Sequence, residues 1–347
     1  MADNKDLNKA NAARKDEFYT QLTDIEKELR FYKSFFKGKV VLCNCDDPYE
    51  SNFFKYFAMN FNSLGLKKLI ATGYVASPVL GTELNIWTGE ETHVVDRTPY
   101  VAYINEVGDF NNDGRVDLDD VKILLRRKHN ARRRLRGDDT YPAGDFRSAE
   151  CVRLLQMADV IVTNPPFSLF REYLAQLIKY NKKFLIIGNV NVITYKDVFP
   201  LIKDNVMWFG ASIHSGDRKF NVPDSYPLNA AGCGIDETGK KFIRVKGVRW
   251  FTNVDYQQRH QDLILYKNYN PDEFPKYDNF DAINVNVTVD IPQDYYGVMG
   301  VPVTFLDKYN PDQFEIVGNE YSLGIDKGRG YVNGKRMYSR IFIKRKI

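Results

Sequence analysis

The segment Asn164-Pro165-Pro166-Phe167 combines residue types that together can bind and orient a planar amine. An Asn side-chain oxygen and a proline-flanked carbonyl accept hydrogen bonds, and an aromatic face stacks on a flat ring. The β-branched run 160–163 predicts a buried strand, which the prolines end because neither has an N–H for a sheet ladder. Asn164 is therefore expected at the edge where open α/β sheets bind ligands. The alternative is a plain turn, since turns favour the same residues.

Strand and helix patterns alternate around this segment and predict a doubly wound, mainly parallel α/β sheet. The predicted strands are 39–45, 69–74, 160–163, 184–187, 206–209 and 248–252. The predicted helices lie within 14–34 and at 52–61, 148–157 and 168–180. A Pro-, Asp- and Tyr-rich stretch follows residue 265. We therefore expect a main domain over 1–265, with an insertion at 105–140, and a smaller region over 266–347.

Composition limits the class of protein. The chain has 347 residues, of which 44% are hydrophobic, so it can bury a substantial core. Its charged N-terminus has no apolar h-region, and no stretch reaches the roughly 18 apolar residues of a spanning helix. The four cysteines show no paired metal spacing. These features predict a soluble protein of the reducing cytoplasm, without a membrane partner.

Two basic runs predict contact with a phosphate backbone. Residues 126–136 carry seven basic side chains and no acid, and residues 327–347 carry eight more and no acid. Asn333-Gly334 predicts a hairpin within the second run. The expected DNA contacts are Arg126, Arg127, Arg132, Arg133, Arg134, Lys335, Arg336 and Arg340. The alternative for the first run is a solvated charge cluster.

The stretch 109–120 has the residue spacing of an EF-hand calcium loop, and its final Asp brings it closest to dockerin-like loops. The expected Ca²⁺ ligands are Asp109, Asn111, Asp113, Arg115 and Asp120. A hypothesis that follows is that the loop stiffens an insertion which presents Arg126 to Arg136 to DNA. The alternative is an Asp- and Asn-rich turn that folds without metal.

Several motifs resemble known methyltransferases. Asn164-Pro-Pro-Phe167 is similar to the catalytic motif of S-adenosylmethionine-dependent amino-methyltransferases. Phe18-Tyr-Thr20, Asn44 to Pro48, Gly144-Asp-Phe-Arg147, the Asn164 motif and Val301 to Leu306 occur in an order that resembles the EcoRI-type adenine-specific DNA methyltransferases. The resemblance runs from about residue 14 to the C-terminus, interrupted near 105–140.

The resemblance implies a Rossmann-like class I methyltransferase fold with a C-terminal target-recognition region. It also implies S-adenosylmethionine as cofactor and double-stranded DNA as substrate. The enzyme would be either the partner of a restriction endonuclease in the same system or a solitary methyltransferase. The implied reaction is methyl transfer to N6 of a flipped adenine, with Asn164 and the Pro165 carbonyl accepting the amine hydrogens and Phe167 stacking on the base.

The implied cofactor contacts are Phe18, Tyr19, Thr20, Asn44, Cys45, Asp46, Asp145 and Phe146. The Gly-x-Gly signature common among methyltransferases is missing after the first strand. Alternatives remain for two of these motifs: Phe18 and Tyr19 as core aromatics, and Asp145 as the N-cap of helix 148–157.

Two other functions stay open at this point. Related Asn-Pro-Pro enzymes modify RNA or a protein glutamine, although the basic runs favour a nucleic acid. A non-catalytic, calcium-dependent binding module is the third interpretation, and the intact Asn164 motif speaks against it.

Overall fold

The computed structural model describes most of the chain. The described parts are 19–45, 51–73, 82–85, 90–93, 99–117, 119–121, 123, 133–214, 216–222, 226, 228, 232–325 and 329–347. The chain forms two compact units. The first comprises 1–190 and 215–254, and the second comprises 191–214 and 255–347.

This division differs from the domain boundary expected at 265. The first unit ends at Val254, just after the last strand of its large sheet, and residues 191–214 belong to the second unit. The reason is packing within the second unit, where the Arg259 guanidinium lies 3.8 Å from the Trp208 ring centroid and also donates to Asn205. The composition change after residue 265 therefore marks an irregular stretch inside the unit.

The first unit contains a large mixed sheet with a parallel centre. In order across the sheet its strands are β14 (Val248–Thr252), β9 (Lys183–Asn189), β8 (Val160–Thr163), β2 (Val40–Cys43), β3 (Lys68–Thr72), β6 (Tyr100–Ile104) and β7 (Arg133–Arg134). The neighbours β9, β8, β2 and β3 pair in parallel, and the outer strands pair antiparallel. This arrangement confirms the predicted α/β fold with a mainly parallel sheet.

Every residue of β8 is buried, although successive side chains point to opposite faces. Both faces of the sheet are therefore covered at this strand, which explains its continuous apolar sequence. The helices of the first unit are α1 (Leu22–Leu29), α2 (Asn52–Met59), α3 (Ala149–Met157) and α4 (Phe170–Lys179), and a 3-10 segment, Arg30–Phe36, follows α1. Ser51 caps α2 by accepting from the Phe54 N–H.

A second sheet of the first unit holds the N-terminal strand β1 (Tyr19–Thr20). Its other strands are β11 (Asp217–Asn221), β13 (Lys241–Lys246) and β12 (Gly234–Ile235), and all pairings are antiparallel. In register, Thr20 lies opposite Phe220. A separate hairpin pairs β4 (Thr82–Asn85) with β5 (Glu90–His93).

The second unit is built around a four-stranded sheet of β15 (Ile283–Asn284), β16 (Met299–Pro302), β20 (Arg340–Arg345) and β17 (Phe314–Asn319). It also contains α5 (Phe199–Lys203), β10 (Trp208–Phe209), 3-10 turns at Gln257–His260, Thr288–Asp290 and Val303–Lys308, and the hairpin β18 (Tyr331–Val332) to β19 (Lys335–Arg336). Asn333 and Gly334 have φ values of 50° and 71°, as the predicted two-residue hairpin turn requires. Among the described helices, none has the length and apolar character needed to cross a bilayer.

Gly188 allows α4 to lie directly on the central sheet. A Cβ added at Gly188 would lie 2.4 Å from the Phe170 ring, which is buried at the start of α4. Gly188→Ala should therefore lower the free energy of unfolding by about 1–3 kcal/mol, because the ring has to shift in a packed core. Thermal unfolding measures the change.

Gly108→Ala is the matched control. The nearest atom to its added Cβ, on Phe110, lies 3.7 Å away, which is an ordinary contact. Equal melting temperatures for the two variants would contradict this description of the packing.

His260 links two carboxylates within the second unit. Its Nδ1 lies 2.6 Å from Asp312 Oδ2 and its Nε2 lies 2.8 Å from Asp255 Oδ2. Hydrogen bonds to two carboxylates raise the pKa of His260, and the bond with Asp312 contributes more than the bond with Asp255. The charged imidazolium therefore stabilises the unit fully below its unfolded pKa of about 6.5, and this stabilisation is lost as the pH rises through the higher folded pKa.

Asp312→Asn should lower the His260 pKa toward its ordinary value, because it removes the largest cause of the shift. An NMR titration of the imidazole C–H signals measures this directly. A His260 pKa that is unchanged in Asp312→Asn would show that the pair does not form.

Candidate active site

Asn164 lies immediately after β8, at the C-terminal edge of the central sheet, as the sequence predicts. Its side chain is buried, with 5% exposure, and Pro165 is also buried. Pro166 and Phe167 are half-buried. The Pro166 carbonyl accepts from the Leu169 N–H at 3.0 Å, which closes the single 3-10 turn Phe167–Leu169 before α4. The prolines thus end the strand, and the chain re-enters a helix within one turn.

Phe167 contacts the second sheet of the same unit. Its ring meets that of Phe220 edge to face, with centroids 6.2 Å apart. Because Phe220 pairs with Thr20, this contact connects the Asn164 motif to the N-terminal strand. Sequence reasoning missed Phe220, since the segment 217–221 is mostly polar and carries no motif.

Tyr19 and Thr20 are both buried, and Phe18 lies outside the described residues. The Thr20 carbonyl accepts from Asn52 Nδ2 at 2.7 Å, which fixes the strand to the start of α2. The Thr20 hydroxyl is buried and has no hydrogen-bond partner among the described residues. A buried hydroxyl of this kind costs free energy unless a polar group meets it, so it fits a ligand carboxylate.

Asn44 and Cys45 follow the neighbouring strand β2 at the same edge. The Asn44 carbonyl accepts from the Thr163 hydroxyl, and its side-chain Oδ1 accepts from the Tyr173 hydroxyl. Cys45 has a φ of 76°, in the left-handed region that residues other than glycine seldom adopt. Asp46, the third expected contact on this turn, lies outside the described residues.

Asp145 is buried and fixed by Arg147. Arg147 Nη2 lies 2.7 Å from Asp145 Oδ2, and Arg147 Nε donates to Oδ1 at 2.9 Å. The hydrogen bond with Asp145 is the main reason that the pKa of Arg147 is raised. A carboxylate has about four acceptor positions, so this pairing orients Asp145 and leaves it able to accept another hydrogen bond. Ser148, not Asp145, caps α3, so the N-cap alternative for Asp145 is wrong.

Tyr173 on α4 connects the two predicted cofactor segments. It donates to Asn44, and its ring meets Phe146 edge to face with centroids 5.0 Å apart. Burial is the main reason that the pKa of Tyr173 is raised, so its hydroxyl stays neutral and able to donate. Sequence reasoning missed Tyr173 because helix periodicity marks it only as a core position.

The predicted DNA contacts have different environments. Arg133 forms an ion pair with Glu150, while Arg134 is exposed on β7. Lys335 and Arg336 are exposed on the hairpin. Arg126, Arg127 and Arg132 lie outside the described residues.

Arg340 differs from the prediction of an exposed contact. It is 8% exposed, its N–H donates to Glu320, and its Nη2 lies 3.4 Å from Asn286 Oδ1. Residue type alone indicated a surface position, and the pairing of β20 within its sheet instead buries this side chain.

The predicted calcium loop closes on itself through hydrogen bonds from its own backbone. Asp109 accepts from the N–H groups of Asp113 and Gly114, and Asp120 accepts from those of Phe110, Asn111 and Asp117. The bond from Asp117 is the main reason that the pKa of Asp120 is lowered. No group of three or more His, Cys, Asp or Glu among the described residues is arranged to hold a metal. The two carboxylates that accept these bonds are the first and last of the expected Ca²⁺ ligands.

Fold and site together have the form of a class I methyltransferase that acts on an amino nitrogen. The family described as adenine-specific methyltransferase EcoRI matches residues 6–346, and the chain belongs to that family. The resemblance found in the sequence is thereby confirmed, and membership implies S-adenosylmethionine as the methyl donor.

Three curated relatives cover nearly the whole chain. The Type II methyltransferase M.EcoRI of Escherichia coli is 49% identical, over 99% of this chain and 98% of its own length. The Type II methyltransferases M.MpnI of Mycoplasma pneumoniae and M.MgeORF184P of Mycoplasma genitalium are 35% and 34% identical, each over 98% of both chains. No solved structure matches significantly. The protein is therefore an enzyme of the adenine-specific methyltransferase class.

Proposed function

We propose that the protein transfers a methyl group from S-adenosylmethionine to N6 of an adenine flipped out of double-stranded DNA. The observation that carries this proposal is the position of Asn164, buried at the C-terminal edge of the parallel strands. The family supports adenine as the target. A base inside a duplex cannot enter a buried site, so the target nucleotide has to leave the stack.

Asn164 and Pro165 activate the amine. The N6 lone pair is shared with the adenine ring, so the nitrogen is a poor nucleophile while its hydrogens lie in the ring plane. Asn164 Oδ1 and the Pro165 carbonyl would accept hydrogen bonds from these two N–H groups. They would stabilise the positive charge that develops on nitrogen as the methyl group leaves the sulfonium, until the methylated nitrogen loses one proton to solvent. Phe167 stacks on the base, and its edge contact with Phe220 supports the orientation of its ring.

The cofactor is held by residues at the same sheet edge. When bound, S-adenosylmethionine supplies an electrophilic methyl group on its sulfonium. In this proposal the Tyr19 ring would lie beside the methionine part of the cofactor, and the Thr20 hydroxyl would meet its carboxylate. Asp145 would accept from the adenine amino group of the cofactor, Phe146 would stack on that ring, and Asn44 and Cys45 would contact it from the end of β2. Phe18 and Asp46 stay predicted contacts that lie outside the described residues. The Thr20 hydroxyl, which is buried and has no hydrogen-bond partner within the described ranges, supports this assignment.

DNA contact is assigned to the exposed basic residues of each unit. Arg134 in the first unit and Lys335 and Arg336 in the second offer cations for phosphate contacts. The second unit serves target recognition in this proposal. The enzyme acts either beside a cognate restriction endonuclease or as a solitary methyltransferase, and the cytoplasm, where the four free thiols persist, is the expected location.

The loop 109–120 is proposed to bind Ca²⁺ and to stiffen the basic insertion after it. Its residue spacing supports this, together with its closed form, in which the first and last carboxylates already turn toward the loop interior. Metal binding would exchange backbone donors for a cation, with little change in the path of the chain.

Asn164→Ala should reduce kcat by about 100- to 1,000-fold, because it removes an acceptor that acts mainly in the transition state. Binding of S-adenosylmethionine, measured by calorimetry, should stay near wild type. Asn189→Ala is the matched control, since Asn189 ends the neighbouring parallel strand and donates to the Lys246 carbonyl. Wild-type turnover in Asn164→Ala would contradict the assignment of the site.

Calorimetric titration of the purified protein with Ca²⁺ should show one binding event that is lost in Asp109→Ala. Asp236→Ala is a suitable control, because Asp236 accepts from loop N–H groups in a similar way outside the predicted site. EF-hand loops bind Ca²⁺ with dissociation constants up to about 1 mM. If no heat of binding appears at about millimolar Ca²⁺, the loop is the metal-free turn.

A further inference from the structure

We infer that Thr163 and Tyr173 are positioning residues that hold the turn at Asn44 and Cys45 in the form that a glycine-rich loop provides in other methyltransferases. The inference rests on the proposed cofactor role of this turn. It accounts for the absence of a Gly-x-Gly sequence after β2. Neither Thr163 nor Tyr173 belongs to a recognisable sequence motif.

The register of two parallel strands places Thr163 beside Asn44. Val41 pairs with Val160 and Leu42 with Ile161, so continuing the ladder by two residues brings Asn44 level with Thr163. The Thr163 hydroxyl donates to the Asn44 carbonyl, and Thr163 is fully buried. Because Thr163 directly precedes Asn164, this bond ties the cofactor turn to the catalytic motif.

Tyr173 fixes the other side of Asn44. Its hydroxyl donates to Asn44 Oδ1 in a site from which water is excluded, since Tyr173 is fully buried and Asn44 is 6% exposed. A hydrogen bond of this kind is strong in a low-dielectric interior, and the loss of either partner leaves a buried polar group unsatisfied. With its oxygen directed to Tyr173, the Asn44 amide is held in one orientation.

The backbone of Cys45 has a left-handed conformation that these two bonds can stabilise. Its φ of 76° is accessible to glycine without cost and is strained for a residue with a Cβ. Such a conformation persists where the surrounding contacts determine it, and the two bonds to Asn44 act on the residue immediately before it. The chain thus holds a left-handed residue at the end of β2 without a glycine, by anchoring Asn44 to β8 and α4.

The test is cofactor binding without nucleic acid. Calorimetry with S-adenosylmethionine should give a Kd about 10-fold higher for Tyr173→Phe and for Thr163→Val than for the wild type, as expected for one lost buried hydrogen bond. Thr163→Ser keeps the hydroxyl and should retain the wild-type Kd. In turnover assays the KM for the cofactor should rise in the first two variants, while kcat at saturating cofactor stays within about three-fold of wild type.

Cys45→Gly separates positioning from general stability. Glycine adopts the left-handed conformation without strain, so adding Cys45→Gly to Tyr173→Phe should restore most of the lost affinity. A merely structural loss would not be repaired by a change in backbone freedom at residue 45. If Tyr173→Phe does not fold, Thr163→Val with and without Cys45→Gly provides the same comparison.

Two control variants each remove a hydroxyl that donates a similar hydrogen bond away from Asn44. The Thr252 hydroxyl donates to the Phe184 carbonyl across the same sheet, and the Tyr277 hydroxyl donates to Asn284 Oδ1 in the second unit. Thr252→Val and Tyr277→Phe should bind S-adenosylmethionine with the wild-type Kd.

If Tyr173→Phe and Thr163→Val also bind with the wild-type Kd, or if Cys45→Gly restores nothing, the inference is overturned while the proposed function stands. If the wild-type protein binds no S-adenosylmethionine, the proposed function fails and the inference fails with it.

Discussion

The parallel alignment of β2 and β8 is the constraint on which the rest of the site depends. Parallel neighbours end at the same edge of a sheet, so the residues that follow them, Asn44 and Asn164, are brought together by backbone hydrogen bonding alone. Each strand is fully or nearly fully buried, and the pairs Val41–Val160 and Leu42–Ile161 define the register between them. The positions proposed for ligand binding and catalysis therefore lie on a rigid part of the sheet.

Polar groups at this edge are buried and mutually oriented. Asp145 is held by Arg147, and Asn44 is held by Thr163 and Tyr173. In a low-dielectric environment such groups are costly unless they are satisfied, and once satisfied they keep a single geometry. A methyl transfer that needs alignment of one amine with one sulfonium benefits from such preorganisation, because little reorganisation remains for the reaction step.

Local rules predicted much of this architecture from the sequence. Because proline has no N–H, the two prolines predicted that Asn164 follows the end of a strand. The apolar runs predicted the parallel strands, and Asn333-Gly334 predicted the hairpin. Features that depend on distant contacts could not be predicted in this way. Phe220 and Tyr173 join the site through tertiary packing, and the burial of Arg340 follows from the pairing of β20. The observed division into units differs from the boundary expected at residue 265, because residues 191–214 pack with a segment more than forty residues later in the chain.

The most direct test of the proposed function asks whether the protein methylates N6 of adenine in DNA. Transfer of a labelled methyl group from S-adenosylmethionine should be measured in parallel with unmethylated genomic DNA, RNA and a protein extract, followed by nucleoside analysis of the labelled material. We expect label in DNA alone, recovered as N6-methyladenine. Label confined to RNA or protein, or no label in any of the three, would contradict it.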